Sequence, residues 1–433
     1  MASVGEHRVA ALPPCARLLH IGLPKTGTTA LQSTARAKRQ QLREHGVRYP
    51  GGGMNHREAV SSLMGRRWGW IGPGAAVPPM RHWDRLMAEV DADDQSRIWI
   101  SHEFVSESDD ATAQKFADAL GPRLHIAITL RPFSAILASS WQQYLKGGTV
   151  HTFEHWLSRV LAEQPDLEVT PSFHLRNDQA GVVRRWASVV GPANVTAVVV
   201  DKANPTLLTD SFEQLFGLPH GFLVDSSLGG LQKNRSMSWP ESELLRGLNL
   251  ALRDRDVDWS HYEKLLRNGA IARLLESRTP TAAEGRVLLP GWAAERATAR
   301  GRGFADAIAA SGVNVVGDLQ VLAAPLPGTA DIPPAPAEVP LDAATEALAG
   351  LLSAALDRGP YFAPRRSTTR KPSAGAPAPT RTPTSTVVAG PSGTVGDPRL
   401  DRALAGVTTR ALVRLVAARV RRRAARSLPL GRR

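Results

Sequence analysis

Cysteine is nearly absent: Cys15 is the single thiol in 433 residues. One sulfur builds neither an intramolecular disulfide nor a cysteine-rich metal site, which suits a reducing compartment. Long apolar runs are missing too. No stretch of about 18 apolar residues occurs, so a membrane-spanning helix is not expected. The opening MASVGEHRVAALPPCARLL lacks a charged region leading into an apolar core, so no signal peptide is expected. Acidic residues are outnumbered, 40 against 53 Lys and Arg, for a formal charge of +13. That excess belongs to one end. Residues 401–433 hold ten arginines and one aspartate, nine of the thirteen net charges. The high pI therefore describes the tail, and it is no argument that the body binds nucleic acid.

What is present is enough apolar material for a core, 42% of the chain, in a length that suits one large α/β domain with appendages or two average domains. Four short runs read as buried strands: RLLHIGL (17–23), SRIWIS (96–101), RLHIAITLR (123–131) and NVTAVVVD (194–201). Helical patterns separate them. Apolar strands alternating with helices favour a parallel sheet covered on both faces, an α/β fold. Residues 1–16 read as an N-terminal extension and 17–325 as one domain. Composition then shifts, with 14 of the 32 prolines in 321–400. The span 326–399 reads as a Pro/Ala-rich segment with one helix over 341–358 and a disordered linker. Helical periodicity returns over 400–428, where Leu404, Val407, Ala411, Leu415 and Ala418 share a side and arginines crowd the rest.

The stretch LLHIGLPKTGTTALQ (18–32) has the order strand, glycine-rich turn, helix. That order aims backbone N–H groups and a helix N-terminus at one anion. Gly22 and Gly27 permit the tight turn, Pro24 stiffens its entry and Lys25 adds a cation. Thr28 and Thr29 offer a helix cap and hydroxyl donors. In the usual nucleotide-binding spelling a lysine directly follows the second glycine. Here Lys25 precedes Gly27, and Thr28 stands where that lysine would be.

IGLPKTGTTALQ resembles the 5′-phosphosulfate loop of the P-loop sulfotransferase family, bacterial and carbohydrate-type members included. The resemblance implies a P-loop-like central parallel sheet flanked by helices. It also implies a donor, 3′-phosphoadenosine 5′-phosphosulfate (PAPS), with Lys25 beside the oxygen that links phosphorus to sulfur and Thr26, Gly27, Thr28 and Thr29 around the phosphosulfate. No metal is implied. A PAPS reader needs a second basic cup, and ITLRPFSAILASSWQQYLKGG (128–148) supplies its residue types. Arg131 ends a strand and Ser139 follows eight residues later, the spacing of the family's 3′-phosphate motif, with Ser140 as its neighbour. Arginine grips phosphate bidentately and serine adds a hydrogen bond. LQKNRSMSWPESELLRGLN (231–249) resembles a further stretch of these enzymes, so Asn234, Arg235 and Ser236 are candidates to border the nucleotide. The same residues also read as a capped helix start, with Ser238 as N-cap and Glu241 in the first turn. The resemblance covers about 17–325.

Transfer of a sulfuryl group to a hydroxyl needs a base near the acceptor oxygen and positive charge near the leaving phosphate. IWISHEF (98–104) puts His102 and Glu103 at a strand end, where such groups collect in parallel α/β sheets. Family members use either residue type, so both stay open, with Glu103 preferred. Solvated first-turn residues capped by Ser101 are the plainer alternative. His56 and Arg57 follow a glycine-rich loop and are candidates for the acceptor pocket. Trp68, Trp70, Trp83 and Trp141 are candidates for stacking on a ring, with core packing the stronger alternative. The expected acceptor is a carbohydrate, a glycolipid or a small molecule.

Two other classes compete. A P-loop small-molecule kinase needs a lysine after Gly27 and a Mg²⁺-holding aspartate at a strand end, for which Asp201 is the candidate. A noncatalytic protein acting through its basic tail is the third reading. The tail suits an anionic membrane surface, which would make the chain a cytoplasmic protein peripheral to the inner face.

Overall fold

The computed structural model describes residues 9–23, 26–67, 76–164, 166, 169, 172–224, 235–253, 255, 257–325, 330–336 and 338–356. Among them, six strands form one sheet in the order β2-β3-β1-β4-β5-β6. They are β1 (Arg17–Gly22), β2 (Val47–Arg48), β3 (Arg97–Ser101), β4 (Leu124–Leu130), β5 (Val195–Val199) and β6 (Asn314–Val316). Every pairing is parallel. The fold is α/β, as its alternating pattern demands. The four strands read from the sequence are β1, β3, β4 and β5. The set of four is corrected to six, because β2 and β6 are edge strands of two and three residues, too short to write an apolar run.

Period-two alternation divides the core between the two faces. Leu18, Trp99, Ala127 and Val198 point to one face, where Leu31 and Ala35 of helix α1 (Thr28–Ala37) and Phe212 and Phe216 of the Leu207–Phe216 helix cover them. Leu19, Ile100, Ile126, Ile128 and Val199 point to the other. There the helices Arg57–Met64, Asp110–Leu120, Ser134–Leu145, Gln179–Val190 and Gly291–Ala309 supply the partners. Burial on both faces is what removes polar alternation from the strands.

The strand order sets the site. The chain leaves β1 toward β2 on one side and leaves β4 toward β5 on the other, yet β1 and β4 are neighbours. Loops diverge at that point and open a crevice beyond the carboxyl ends of the two strands.

The compact unit containing the sheet runs to Ala355, thirty residues past the boundary at 325 drawn from composition. The helix expected over 341–358 spans Leu341–Ala355, with Asp357 and Arg358 outside the described residues. It packs on a helical stretch that includes a π-helical segment, Glu263–Ile271. Arg278 fixes it in place. Its guanidinium, 4% exposed, bonds Asp342 at 2.7 Å, Glu284 at 2.8 and 2.5 Å, and the fully buried Glu241 at 2.8 Å. Arg235 closes the network with two bonds of 2.7 Å to Glu241. Buried carboxylates are tolerated only when paired this completely.

Replacing Arg278 by alanine strips Glu241 of one partner and Glu284 of its main one. The expected loss is about 3 kcal/mol of unfolding free energy, read by urea titration. Hydrogen bonds from Arg278 hold the Glu284 carboxyl down at about 2, against the usual 4.5. A depressed folded-state pKa stabilises fully above 4.5 and ceases to do so as pH falls toward 2. Wild type is expected to lose stability across that window more steeply than Arg278→Ala.

Candidate functional site

Two loops meet at the crevice. The first follows β1. Gly22 is required for space: a Cβ there would lie 1.7 Å from Thr28 Oγ1. Gly27 is required for conformation, since its φ of +86° is left-handed and places it as the residue that opens α1. Thr26 is fully buried. Its hydroxyl donates to the Leu23 carbonyl at 2.6 Å and meets Thr129 Oγ1 of β4 at 2.6 Å. The loop is thus tied to its neighbouring strand. No side chain caps α1 and no acid occupies its first turn. Gly27 and Thr29 are exposed there while Thr28 packs inward. The result is the uncapped, positive end of a ten-residue helix beside an open glycine turn, the chemistry of an anion site. Lys25 and Pro24 lie outside the described residues.

The second loop follows β4. Arg131 is clamped through its backbone: its N–H donates to Gln179 Oε1 at 3.3 Å and its carbonyl accepts from Gln179 Nε2 at 2.8 Å. Burial lowers the pKa of its guanidinium. Ser139 sits on the Ser134–Leu145 helix, where its hydroxyl donates to the Ile136 carbonyl at 2.9 Å. Ser140 is buried. One turn on from Ser139, Gln142 grips the backbone of Met237 from both sides, at 2.8 and 3.1 Å. The stretch containing the exposed Ser236 therefore lies against the helix that carries Ser139. Asn234 lies outside the described residues. Arg235 is spent on Glu241, which withdraws it from any nucleotide. The capped helix start is also present: Ser238 N–H donates to Glu241 Oε2 at 2.8 Å and Glu241 N–H to Ser238 Oγ at 3.4 Å.

The end of β3 brings a third group. His102 is 1% exposed, and its Nδ1 accepts the Phe104 N–H at 3.0 Å. That bond occupies the Nδ1 lone pair and leaves the ring proton on Nε2, which lies 3.9 Å from Glu103 Oε2. The Nε2–H of His102 faces Glu103 beyond hydrogen-bond distance, and Glu103 is partly exposed. The following short turn, Glu103–Glu107, is pinned by Glu107, which accepts from Arg176 and, at 2.8 Å, from Arg66.

Behind these groups lies a buried polar hub that sequence reasoning missed. Ser101 Oγ meets His20 Nδ1 at 2.9 Å and accepts from Gln32 Nε2 at 3.0 Å. Ser101 N–H donates to His56 Nδ1 at 3.1 Å, and His56 Nε2–H reaches the Pro50 carbonyl at 3.1 Å. Gln32 Oε1 accepts from Asn55 Nδ2 at 3.3 Å. The signal was a pair of polar residues at inward positions of apolar strands: His20 and Ser101 are register partners across β1 and β3.

His56 is therefore buried with both ring nitrogens engaged, whereas Arg57 is exposed. A cleft of about 480 Å³ lies there, lined by the Gly51–Gly53 turn, Arg57, His82, Arg85 and Glu89. Trp83 and Trp141 are core residues, 4% and 0% exposed, and do not stack on ligand. Trp68 and Trp70 lie outside the described residues. Asp201, the candidate for a kinase's magnesium, accepts the Ala203 N–H at 2.9 Å in a turn after β5. Among the described residues, Asp210, Glu213 and His220 bring donor atoms within 4.8 Å of one another. Glu213 gives both oxygens to the N–H groups of Gly221 and Leu223, at 2.8 and 2.6 Å, so that trio reads as a turn anchor.

Burial holds three imidazoles near the site neutral. It lowers His20 to about 3, His56 to about 4 and His102 below its usual 6.5. The folded chain then binds fewer protons than the unfolded one below 6.5, so stability is full above that pH and falls as pH drops toward 4. The urea midpoint is expected to decline from about pH 7 to about pH 5, and ¹⁵N spectra to show two imidazoles, His20 and His56, that do not titrate over that interval.

No family model matches the chain, and no curated protein matches it. Among solved structures, a sulfotransferase from Alicyclobacillus acidocaldarius is similar over 57% of this chain and 98% of that chain, at 17% identity and a TM-score of 0.37.

Proposed function

We propose that the chain transfers a sulfuryl group from PAPS to a hydroxyl of a carbohydrate, glycolipid or small-molecule acceptor by direct in-line displacement. The observation that carries this reading is that the glycine-rich loop and the loop holding Arg131 leave neighbouring strand ends, with Gly22 in register with Thr129 and Arg131 two residues on. A nucleotide with negative charge at both extremities fits such a pair better than one with a single polyphosphate. The donor supplies an activated sulfuryl group on its 5′-phosphate. In this reading Lys25, by its place in the motif, and the amides that open α1 offset charge on the leaving oxygen. Thr26, Gly27, Thr28 and Thr29 shape that cup. Arg131 and Ser139, with Asn234 and Ser236 alongside, hold the 3′-phosphate and so align the sulfur. Glu103 takes the proton from the acceptor hydroxyl. His102 faces Glu103 with its Nε2–H, because its own Nδ1 lone pair is engaged.

Equilibrium dialysis with 3′-phosphoadenosine 5′-phosphate (PAP), the product nucleotide, tests the pair of cups. Lys25→Ala and Arg131→Ala are each expected to weaken PAP by about 10- to 100-fold, the scale of a lost hydrogen bond to a charged group. Glu103→Gln should leave PAP affinity intact and slow transfer by about 100-fold or more. Binding of ATP with Mg²⁺ more tightly than PAP would transfer the site to the kinase class.

No helix among the described residues is long and apolar enough to cross a membrane. We read residues 400–428 as a docking segment for an anionic bilayer, each arginine near the surface contributing about 1 kcal/mol. That would hold the enzyme on the inner face of the membrane, close to a lipid-linked acceptor. Full-length chain is expected to sediment with phosphatidylglycerol vesicles and a chain lacking 364–433 to stay in solution. Equal sedimentation of both removes the docking role.

A further inference from the structure

Gln32 lies on α1, four residues after Thr28, and is 1% exposed. An apolar side chain would fill that position without needing partners. The amide instead uses both ends. Nε2 donates to Ser101 Oγ at 3.0 Å, and Oε1 accepts from Asn55 Nδ2 at 3.3 Å. Those contacts join three segments far apart in sequence, each carrying a different part of the proposed site. α1 begins at the phosphosulfate loop. Ser101 is the last residue of β3 and immediately precedes His102 and Glu103. Asn55 belongs to the glycine-rich turn that walls the cleft. Ser101 is held independently by His20 and His56, so the strand end stays folded without the amide. The β1–β3 ladder, which ends at His20 and Ser101, already ties the strands together; what the amide adds is a link from the helix that follows the donor loop to the strand end that carries the base.

We propose that Gln32 is a positioning residue, resting on the sulfuryl-transfer reading above, which sets the height of Glu103 over the sulfur by tying the first turns of α1 to the end of β3. It touches neither substrate. An anion drawn onto the amides that open α1 moves the helix, and the Gln32–Ser101 bond passes that movement to Glu103. A buried, fully paired amide suits this role, because its geometry tolerates little slack and its release strands a donor and an acceptor.

Gln32→Met keeps the volume and removes the polar link. Hydrogen exchange with and without PAP is the first measurement. In wild type, PAP is expected to slow exchange of the amides of residues 102–107 as well as those of α1. In Gln32→Met, PAP affinity should stay within about twofold while protection stops at α1. The second measurement is hydrolysis of ³⁵S-labelled PAPS, with water in the acceptor's place. Water oxygen bonds to sulfur as the sulfur–oxygen bond to the 5′-phosphate breaks, PAP leaves with the electron pair and the proton passes to Glu103. kcat is expected to fall about 10- to 100-fold with the KM for PAPS unchanged. In a Glu103→Gln background the same substitution should cause no further loss. Protection of 102–107 that persists in Gln32→Met overturns the proposal, and so does a loss of PAP affinity that parallels a loss of thermal stability. If neither protein binds PAP, the failure lies with the sulfuryl-transfer reading itself.

Discussion

Parallel pairing of β1 with β4 brings Gly22 level with Thr129, and both proposed anion cups hang from that one ladder. Neither cup is large. One is an uncapped helix end behind a glycine turn, the other an arginine whose backbone is clamped by Gln179. Their value comes from being side by side. Adjacent strands lie about 4.8 Å apart, so charges that leave them in divergent loops are separated by nucleotide dimensions without any long connecting structure. The Thr26–Thr129 contact at 2.6 Å locks the two loop origins together. Other sheet orders would place a helix or a third strand between them.

The polar residues beneath the crevice have a cost. His20, Gln32, Ser101 and His102 are all at most 1% exposed, in a region that apolar packing would fill more cheaply. Each finds partners, though His20 Nε2 has none among the described residues. Such networks fix geometry more than they add stability. The same division of labour recurs at Arg278, whose three carboxylate partners, with Arg235 on one of them, hold the last described helix and the 235–241 stretch to the body. Precision near the crevice is thus supported from below by neutral imidazoles and from the side by ion pairs.

Most of the sheet was legible because buried parallel strands write dense apolar runs, and 17–23, 96–101, 123–131 and 194–201 do so. β2 and β6 were not, since a two- or three-residue edge strand takes its identity from its neighbour. The loop at 22–29 was readable as local chemistry: glycines, a cation and hydroxyls in eight residues. The hub was not. Gln32 and Ser101 are 69 residues apart, and each alone looks like an ordinary polar residue in an amphipathic pattern. Nor does a sequence reveal which lone pair of His102 is occupied, because that depends on a backbone N–H two residues on. Arg235 misled for a similar reason. Its motif context suggested a ligand contact, whereas its partner is an internal carboxylate.

The two glycines of the first loop are not interchangeable. Gly27 is first a matter of handedness, and a Cβ there would also meet the movable end of the Leu208 side chain at 2.7 Å. Gly22 is a matter of volume, set by Thr28 Oγ1 at 1.7 Å from where a methyl would begin. Positions 22 and 28 are therefore sterically coupled: Thr28 Cβ and Cγ2 lie 2.7 Å from the same point, so trimming Thr28 to serine or alanine does not clear a side chain at 22. A side chain at 22 must therefore shift the backbone that leads into α1, and the turn cannot be altered there without moving the helix start it serves.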